Sequence, residues 1–392
     1  MHAPAIDFHS HLGGHNPYPL RNPFYLPPGY QPLYWMKNRE YFDSIAEEAG
    51  LAFQFRVGLI LARLGLDVVN NRRDIQNALQ KSQRIEKLVV LAFPPVVADG
   101  KPDFANTPLY VSNRAVMSLA GASAKIIPGI SINPLAENAE RRLEELVAES
   151  KHLPNGGKIV FKLFPSVCLF HADGIDPSGK EMPYKQKLLE FYNLLADCNI
   201  PVMVHTGVEE VVQDPEYTYF MEHGGDVARL TPLFETGATV ILAHAGYDPS
   251  YQKAHAGKPN QYPEVKAALK KYPNVYADIA GAFSADYNFI GTVAELMEDD
   301  FYRSKLIHAS DFPVALADPV KTLAALRNED QNNSYVQKAG QVYQAIAADA
   351  TLNRMTALDR CARMAELSLQ AMGASKSDIA EYFSKGAELL KF

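Results

Sequence analysis

Eight short apolar segments recur along the chain, and each one is closed by glycine or proline or ends in polar residues. The segments are AIDFHSH (5–11), KLVVLAF (87–93), KIIPGISIN (125–133), KIVFKLF (158–164), IPVMVHTG (200–207), TVILAHAG (239–246), NVYADIAG (274–281) and KLIHASDFP (305–313). Continuous apolar runs rich in Val and Ile are typical of strands that are buried on both faces. The sequence therefore predicts a parallel sheet of eight strands.

Amphipathic helical patterns separate the later segments. NAERRLEELVAES (138–150) and YKQKLLEFYNLLADC (184–198) each place apolar side chains on one stripe, and PEVKAALKKY and GTVAELMEDDFY follow the sixth and seventh segments. A spacing of roughly 30 to 45 residues from strand to strand is typical of βα units. Eight such units predict an α/β fold, the (β/α)8 TIM barrel. An open doubly wound sheet is the alternative, but no glycine-rich phosphate turn follows the first strand.

The spacing also predicts how the single domain, 1–392, is organised. Residues 12–86 form an insertion after the first strand, and residues 316–392 form a helical C-terminal extension whose last helix packs outside the barrel. The insertion starts at the C-terminal end of the first strand, on the face where TIM-barrel active sites lie. We therefore expect it to cover the site, with aromatic side chains lining the pocket. Its aromatic residues are Tyr18, Phe24, Tyr25, Tyr30, Tyr34 and Trp35.

Composition excludes several classes of function. The chain is 47% hydrophobic and 21% charged, has a net charge of −7, and contains no basic block. It also lacks an apolar run of about 18 residues, and we expect no secretory leader. We therefore expect a small-molecule substrate rather than a nucleic acid or a membrane. Cys168, Cys198 and Cys361 are far apart and form no CxxC pair, which predicts reduced thiols in the cytoplasm.

Five metal-type side chains stand at strand ends. His9 and His11 end the first segment, His205 the fifth, His244 the sixth and Asp311 the eighth. Alternation along an extended strand points His9 and His11 the same way. Since the carboxyl ends of parallel strands meet on one face of a barrel, the sequence predicts that all five converge in a metal site.

These strand ends resemble a known family. IDFHSH, PVMVHTG, LAHAG and ASDFP resemble motifs of the amidohydrolase superfamily, in particular its amidohydrolase-related branch, over about residues 3–315. The resemblance implies that His9, His11, His205 and Asp311 bind a catalytic divalent metal. It implies that His244 binds a second metal or contacts the substrate or the attacking water.

The donor set is chemically coherent by itself. Neutral imidazoles and a carboxylate suit zinc, and less well manganese or iron, as one or two ions. A bound divalent metal lowers the pKa of water towards about 7. Asp311 could then accept the proton of that water, while His244 polarises a carbonyl or protonates a leaving group. This set predicts hydrolysis of an amide, lactone or ester.

Lys162, near the end of the fourth segment, has three interpretations. In binuclear relatives a strand-four lysine is carboxylated and bridges two metals, so the resemblance allows Lys162 as a metal ligand. It could instead bind a substrate carboxylate or be a buried lysine paired with an acid. The related branch often has KLHP here, whereas this chain has Phe164 in place of the histidine. His308, three residues before Asp311, is expected to pack on the opposite side of its strand.

Two other functions compete with hydrolysis. The same branch contains non-oxidative decarboxylases of aromatic acids that use one metal and no bridging lysine. Here Arg21 or Arg39 could hold the substrate carboxylate beside the aromatic insertion. A catalytically silent barrel is the third interpretation, and the complete ligand set argues against it. The substrate and the oligomeric state stay open, and a homo-oligomer is allowed.

Overall fold

Eight parallel strands form one sheet in the order in which they occur in the chain. The computed structural model describes residues 5–11, 24–25, 71–103, 107, 110–207, 218–247, 262–283, 287–311 and 319–391. The barrel strands are β1 (Ile6–His11), β2 (Lys87–Leu91), β3 (Ile126–Ile130), β4 (Val160–Leu163), β5 (Val202–His205), β6 (Val240–Ala243), β7 (Val275–Asp278) and β8 (Leu306–Ile307).

The first and last strands meet at a seam that nearly closes the barrel. The amide of Phe8 donates to the carbonyl of His308 at 3.0 Å, and the amide of Asp311 donates to the carbonyl of His9 at 2.9 Å. The amide of Ser310 also donates to Oδ1 of Asp7 at 2.9 Å. The predicted TIM barrel is confirmed. An open doubly wound sheet is wrong, because the strand order is consecutive and the two ends of the sheet are joined.

Helices follow the strands as the periodicity predicts. The stripes predicted at 138–150 and 184–198 correspond to the helices Ala139–Ser150 and Lys185–Asp197. The first helix differs from its prediction by one residue at its start, and the second by one residue at each end. The helices are α1 (Asn71–Lys81), α2 (Asn113–Gly121), α3 (Ala139–Ser150), α4 (Pro165–Cys168), α5 (Lys185–Asp197), α6 (Thr218–His223), α7 (Thr231–Glu235), α8 (Tyr262–Lys271), α9 (Tyr287–Glu298), α10 (Asp300–Arg303), α11 (Pro319–Leu326), α12 (Ser334–Ala347), α13 (Ala357–Ala371) and α14 (Lys376–Leu389). Within the described residues, short 3-10 turns span Val227–Leu230, His244–Gly246 and Leu352–Arg354.

Apolar side chains fill the barrel below the strand ends, and α14 covers them from the N-terminal side. Ala387 and Leu390 belong to this buried interior cluster, so the last helix closes the end of the barrel and does not pack only outside it. Gly386 allows the close approach, since a Cβ there would lie 2.8 Å from Cδ2 of Phe8. The strand residues of the cluster are Ile6, Phe8, Val89, Leu91, Ile127, Val160, Met203, Ile241, Ala243 and Ile307.

The insertion is described only in part. Phe24–Tyr25 pairs antiparallel with Tyr110–Val111, and α1 precedes β2. Residues 12–23 and 26–70 lie outside the described residues, as do Arg21, Arg39 and most of the expected pocket aromatics. The expectation that this insertion lines the pocket therefore stays a prediction. None of the described helices is both long enough and apolar enough to cross a membrane.

Candidate metal centre

The first strand brings two histidines together at the C-terminal end of the barrel. The register of β1 against β2 shifts between Asp7 and Ser10, as at a β-bulge. Phe8 lies in the apolar interior, and the very next residue, His9, faces the candidate site. Nε2 of His9 and Nε2 of His11 lie 3.1 Å apart. Two imidazole nitrogens that face each other at this distance need a shared proton or a shared cation between them.

The last strand adds a carboxylate to this pair. Oδ1 of Asp311 lies 3.0 Å from Nε2 of His11 and 3.6 Å from Nε2 of His9. Ligand atoms of these three residues all lie within 4.8 Å of one another. His9 is fully buried, whereas 20% of the His11 side chain and 12% of the Asp311 side chain are exposed. The group is therefore accessible to solvent on the side of His11 and Asp311.

Two further histidines adjoin this group without being part of it. The ring centroid of His244 lies 4.9 Å from that of His9 and 5.0 Å from that of His205. The three-residue ligand group found among the described residues does not include His205. We call the space bounded by His9, His11, His205, His244 and Asp311 the cup. All five strand-end residues singled out in the sequence border it.

Asp278 is a functional candidate that the sequence argument passed over. Its Oδ2 lies 3.1 Å from Nδ1 of His9, and its Oδ1 accepts hydrogen bonds from the amides of His244 at 2.9 Å and Ala280 at 3.0 Å. A carboxylate at Nδ1 holds the proton there and leaves Nε2 of His9 open as a ligand. Asp278 ends β7 in NVYADIAG, so the strand-end rule could have found it.

Lys162 lies inside the barrel beside the cup. It is fully buried in β4, and its Nζ lies 5.3 Å from the ring centroid of Phe164. The Phe164 ring in turn contacts the ring of His205 at 4.6 Å, and the charge of Lys162 contributes to lowering the pKa values of His9, His11 and His205. The structure thus brings Lys162 to the candidate site, but the described three-residue ligand group does not contain it.

The electrostatics of the cup favour neutral His9, His11 and His205 and an ionised Asp311. Burial lowers the pKa values of His9, His11 and His205 below the ordinary histidine value. Burial acts to raise the pKa of Asp311, but the hydrogen bond from His11 and the interactions with the neighbouring histidine rings outweigh it and hold that pKa well below its usual range. Neutral imidazole and ionised carboxylate are the forms that bind metal.

The cup holds strained backbone. His244, Ala245 and Asp311 have φ values of 60°, 47° and 60°, in the left-handed region that non-glycine residues rarely adopt. The Asp278 carboxylate binds the amide of His244, and Oγ1 of Thr206 accepts from the amide of Gly246 at 3.1 Å. Such strain persists where surrounding contacts impose it, and it clusters at functional sites.

His308 and His171 fall outside the cup. His308 is fully buried with its Nδ1 3.3 Å from the hydroxyl of Tyr382, and its ring lies 5.0 Å from that of Phe383. It therefore packs against α14, as expected. His171 is also buried, with its ring 5.0 Å from that of Phe220.

Comparison with known proteins adds a family to this geometry. The family model Amidohydro_2, described as amidohydrolase, matches residues 103–333, which is more than half of the chain. The match includes Lys162, His205, His244 and Asp311, and it begins after His9 and His11. No curated protein matches the chain.

Solved structures with a similar course of the chain include two amidohydrolases. An amidohydrolase from Burkholderia multivorans with bound zinc is 13% identical in sequence. The match covers 95% of this chain and 100% of the Burkholderia chain, with a TM-score of 0.42. Amidohydrolase 2 from Bifidobacterium longum subsp. infantis is 14% identical and covers 87% of this chain and 99% of its own, with a TM-score of 0.38.

Proposed function

Because this chain belongs to the Amidohydro_2 family of amidohydrolases, we propose that it is a metal-dependent hydrolase of a small substrate. We propose that it uses water to cleave an amide, lactone or ester bond. One observation carries the proposal: Nε2 of His9, Nε2 of His11 and Oδ1 of Asp311 converge within 4.8 Å at the strand ends. That face of a TIM barrel is where active sites are built.

The residues present fit a divalent metal. Two imidazole nitrogens face each other, and an ionised carboxylate oxygen lies beside them, which is a donor set that zinc prefers. His9, His11 and Asp311 would hold the ion. His205 and Lys162 are proposed as further ligands, and Lys162 would need carboxylation to serve as one. A bound zinc ion supplies a lowered pKa for water and polarises a carbonyl.

The remaining chemistry falls to two side chains of the cup. Asp311 offers a second carboxylate oxygen, which can take the proton that water loses as it attacks the carbonyl. His244 lies across the cup, with its Nδ1 2.9 Å from the carbonyl oxygen of Ala280. If Nδ1 carries the proton that this contact favours, Nε2 is left to face the substrate. His244 would then receive at Nε2 the proton that Asp311 took from the water and deliver it to the leaving group.

A non-oxidative decarboxylase of a small aromatic or unsaturated acid is the second candidate. A single three-residue ligand group among the described residues is consistent with one ion, and one ion serves either reaction. The two reactions differ in product, since only the decarboxylase releases carbon dioxide. We also propose a cytoplasmic location, supported by three free cysteines.

The metal centre is tested by replacing both histidines of β1. The double variant His9→Ala/His11→Ala should fold but lose its bound zinc, because two of the three converging ligands are removed. The control is His152→Ala, which changes an exposed histidine just after α3 and should bind zinc like the wild type. Metal content is measured by elemental analysis after dialysis, and folding by circular dichroism.

The partly exposed His11 provides a milder variant. His11→Ala alone tests the same assignment if the loss of the buried His9 prevents folding. Undiminished zinc in a folded variant of either kind would contradict the assignment of the metal centre.

A further inference from the structure

Two phenyl rings form one side of the cup. The ring of Phe93 is stacked on that of His11, with centroids 5.0 Å apart and planes 22° from parallel. The ring of Phe164 meets that of His205 at 90°, with centroids 4.6 Å apart. The two phenyl rings also contact each other at 5.3 Å. They therefore form a continuous surface, the aromatic wall, that spans from one candidate ligand to another.

The backbone fixes both rings of the aromatic wall. Phe93 follows β2 and exchanges two hydrogen bonds with Val111, each 3.0 Å long. Phe164 follows β4 and directly precedes α4, which begins with Pro165. Both side chains are buried, with 6% and 4% exposure for Phe93 and Phe164. Rigid placement of this kind is what a surface needs to discriminate between substrates.

The aromatic wall also connects the cup to the insertion. Tyr110–Val111 pairs on one side with Phe93 and on the other with Phe24–Tyr25. Neighbouring strands lie about 4.8 Å apart, so the backbone of the insertion runs two strand spacings from Phe93. The described part of the insertion, Phe24–Tyr25, is thus anchored two strands away from the aromatic wall.

We propose that Phe93 and Phe164 determine specificity, by selecting substrates that carry a planar apolar or aromatic group next to the reacting carbonyl. The inference rests on the proposed function, because it assumes that the reacting carbonyl binds at the metal centre. A carbonyl held between His11 and His205 places its substituent against one of the two rings. Phenyl faces and edges bind aromatic groups more strongly than their apolar area alone provides.

Hydroxamates test the proposal without any turnover. Benzohydroxamate and acetohydroxamate carry the same zinc-chelating group and differ in a phenyl and a methyl substituent. Calorimetric titration of the zinc-loaded protein should give about tenfold or more tighter binding for benzohydroxamate, from burial of the phenyl group. In Phe93→Ala and Phe164→Ala this preference should fall severalfold, because benzohydroxamate should lose more affinity than acetohydroxamate does.

The control variant is Phe234→Ala, which removes a buried phenyl ring that packs on Tyr272, on the helices outside the barrel. It should keep the full preference. Phe93→Leu and Phe164→Leu keep apolar bulk without a ring, and they replace the alanine variants if those do not fold.

The outcomes separate the two proposals. If neither hydroxamate binds the zinc-loaded wild type, the metal centre itself is wrong. If both bind with equal affinity, or if the wall variants keep the wild-type preference, the metal centre stands and the aromatic wall does not select the substrate.

Discussion

Replacing Asp278 by asparagine should weaken zinc binding although Asp278 itself is not a proposed ligand. One oxygen of Asp278 faces Nδ1 of His9, and the other accepts two backbone hydrogen bonds, from His244 and Ala280. The carboxylate thereby holds the His9 proton on Nδ1. An asparagine side chain has nearly the same shape but offers only one accepting atom.

Both orientations of the new amide are unfavourable. With its oxygen towards the amides of His244 and Ala280, its NH2 group faces His9, which must then accept at Nδ1 and carry its proton on Nε2. With the amide reversed, the NH2 group meets two backbone donors. A hydrogen bond to a charged group contributes about 1.5 to 3 kcal/mol. We therefore expect Asp278→Asn to lose about 10 to 100-fold in zinc affinity.

The assay is competition for zinc against a chromophoric chelator at neutral pH. Asp7→Asn is the matched control, because Asp7 is equally buried and close to His9 but accepts hydrogen bonds from the His9 amide and from Ser310 rather than from the His9 ring. Its Oδ1 accepts from the amides of His9 and Ser310, and asparagine can keep both bonds. Asp7→Asn should therefore bind zinc like the wild type. Equal zinc affinity in Asp278→Asn and the wild type would refute the reasoning that Asp278 sets the protonation of His9.

Three more predictions concern catalysis and stability. Asp311→Asn should lower turnover by about 10² to 10⁴-fold with a smaller loss of bound metal, because asparagine keeps an oxygen ligand but cannot accept a proton; near-normal turnover would exclude Asp311 as the base. Burial raises the pKa of Asp7 from 3.8 to about 7, so its contribution to stability is present below about pH 4 and is lost as the pH rises through about 7. In urea unfolding of the metal-free protein, the free energy of unfolding of Asp7→Asn should therefore rise relative to that of the wild type between about pH 4 and pH 7, by at most about 1.4 kcal/mol per pH unit. A difference between the two proteins that does not depend on pH would show that Asp7 does not titrate in this way. Gly207→Ala should destabilise the fold more than Gly237→Ala in the same assay. Both glycines have left-handed φ values, of 89° and 80°, but only at Gly207 would a Cβ lie 1.9 Å from the Tyr247 carbonyl oxygen. Equal losses of unfolding free energy in the two variants would show that the backbone conformation alone causes the destabilisation.

The barrel was predictable because its strands are buried on both faces. A strand such as Val240–Ala243 is covered by helices outside and by packed side chains inside, so its sequence is a continuous apolar run. The polar residues that follow such runs, His205 and His244 among them, then mark the open end. Position along the chain was sufficient to place them on one face, since every strand of a parallel barrel ends there.

The partners of these residues were harder to predict. The contact between His9 and Asp278 joins positions 269 residues apart, and no local pattern in either strand specifies it. The bulge in β1 is equally hidden, because simple alternation would put Phe8 and His9 on opposite faces of the strand. The aromatic wall depends on the pairing of Phe93, just after β2, with Val111 in the short strand Tyr110–Val111 that follows it in the chain.

The location of the last helix was also not encoded in its own periodicity. The stripe of α14 shows that one face is buried but not against what. The close approach of Gly386 to Phe8 identifies that surface, but the sequence alone does not bring these two residues together.

The seam between β1 and β8 has a consequence for how the protein matures. Asp7 and Ser310 are 303 positions apart, so the contact that aligns Asp311 with His9 is among the most distant in the chain. Such contacts form late, because the entropy of closing a long loop is lost before they form. A chain still being synthesised presents His9 and His11 from the start but has no Asp311. Tight metal binding would therefore require the completed barrel, and the ion would stabilise the fully folded state rather than an early folding intermediate.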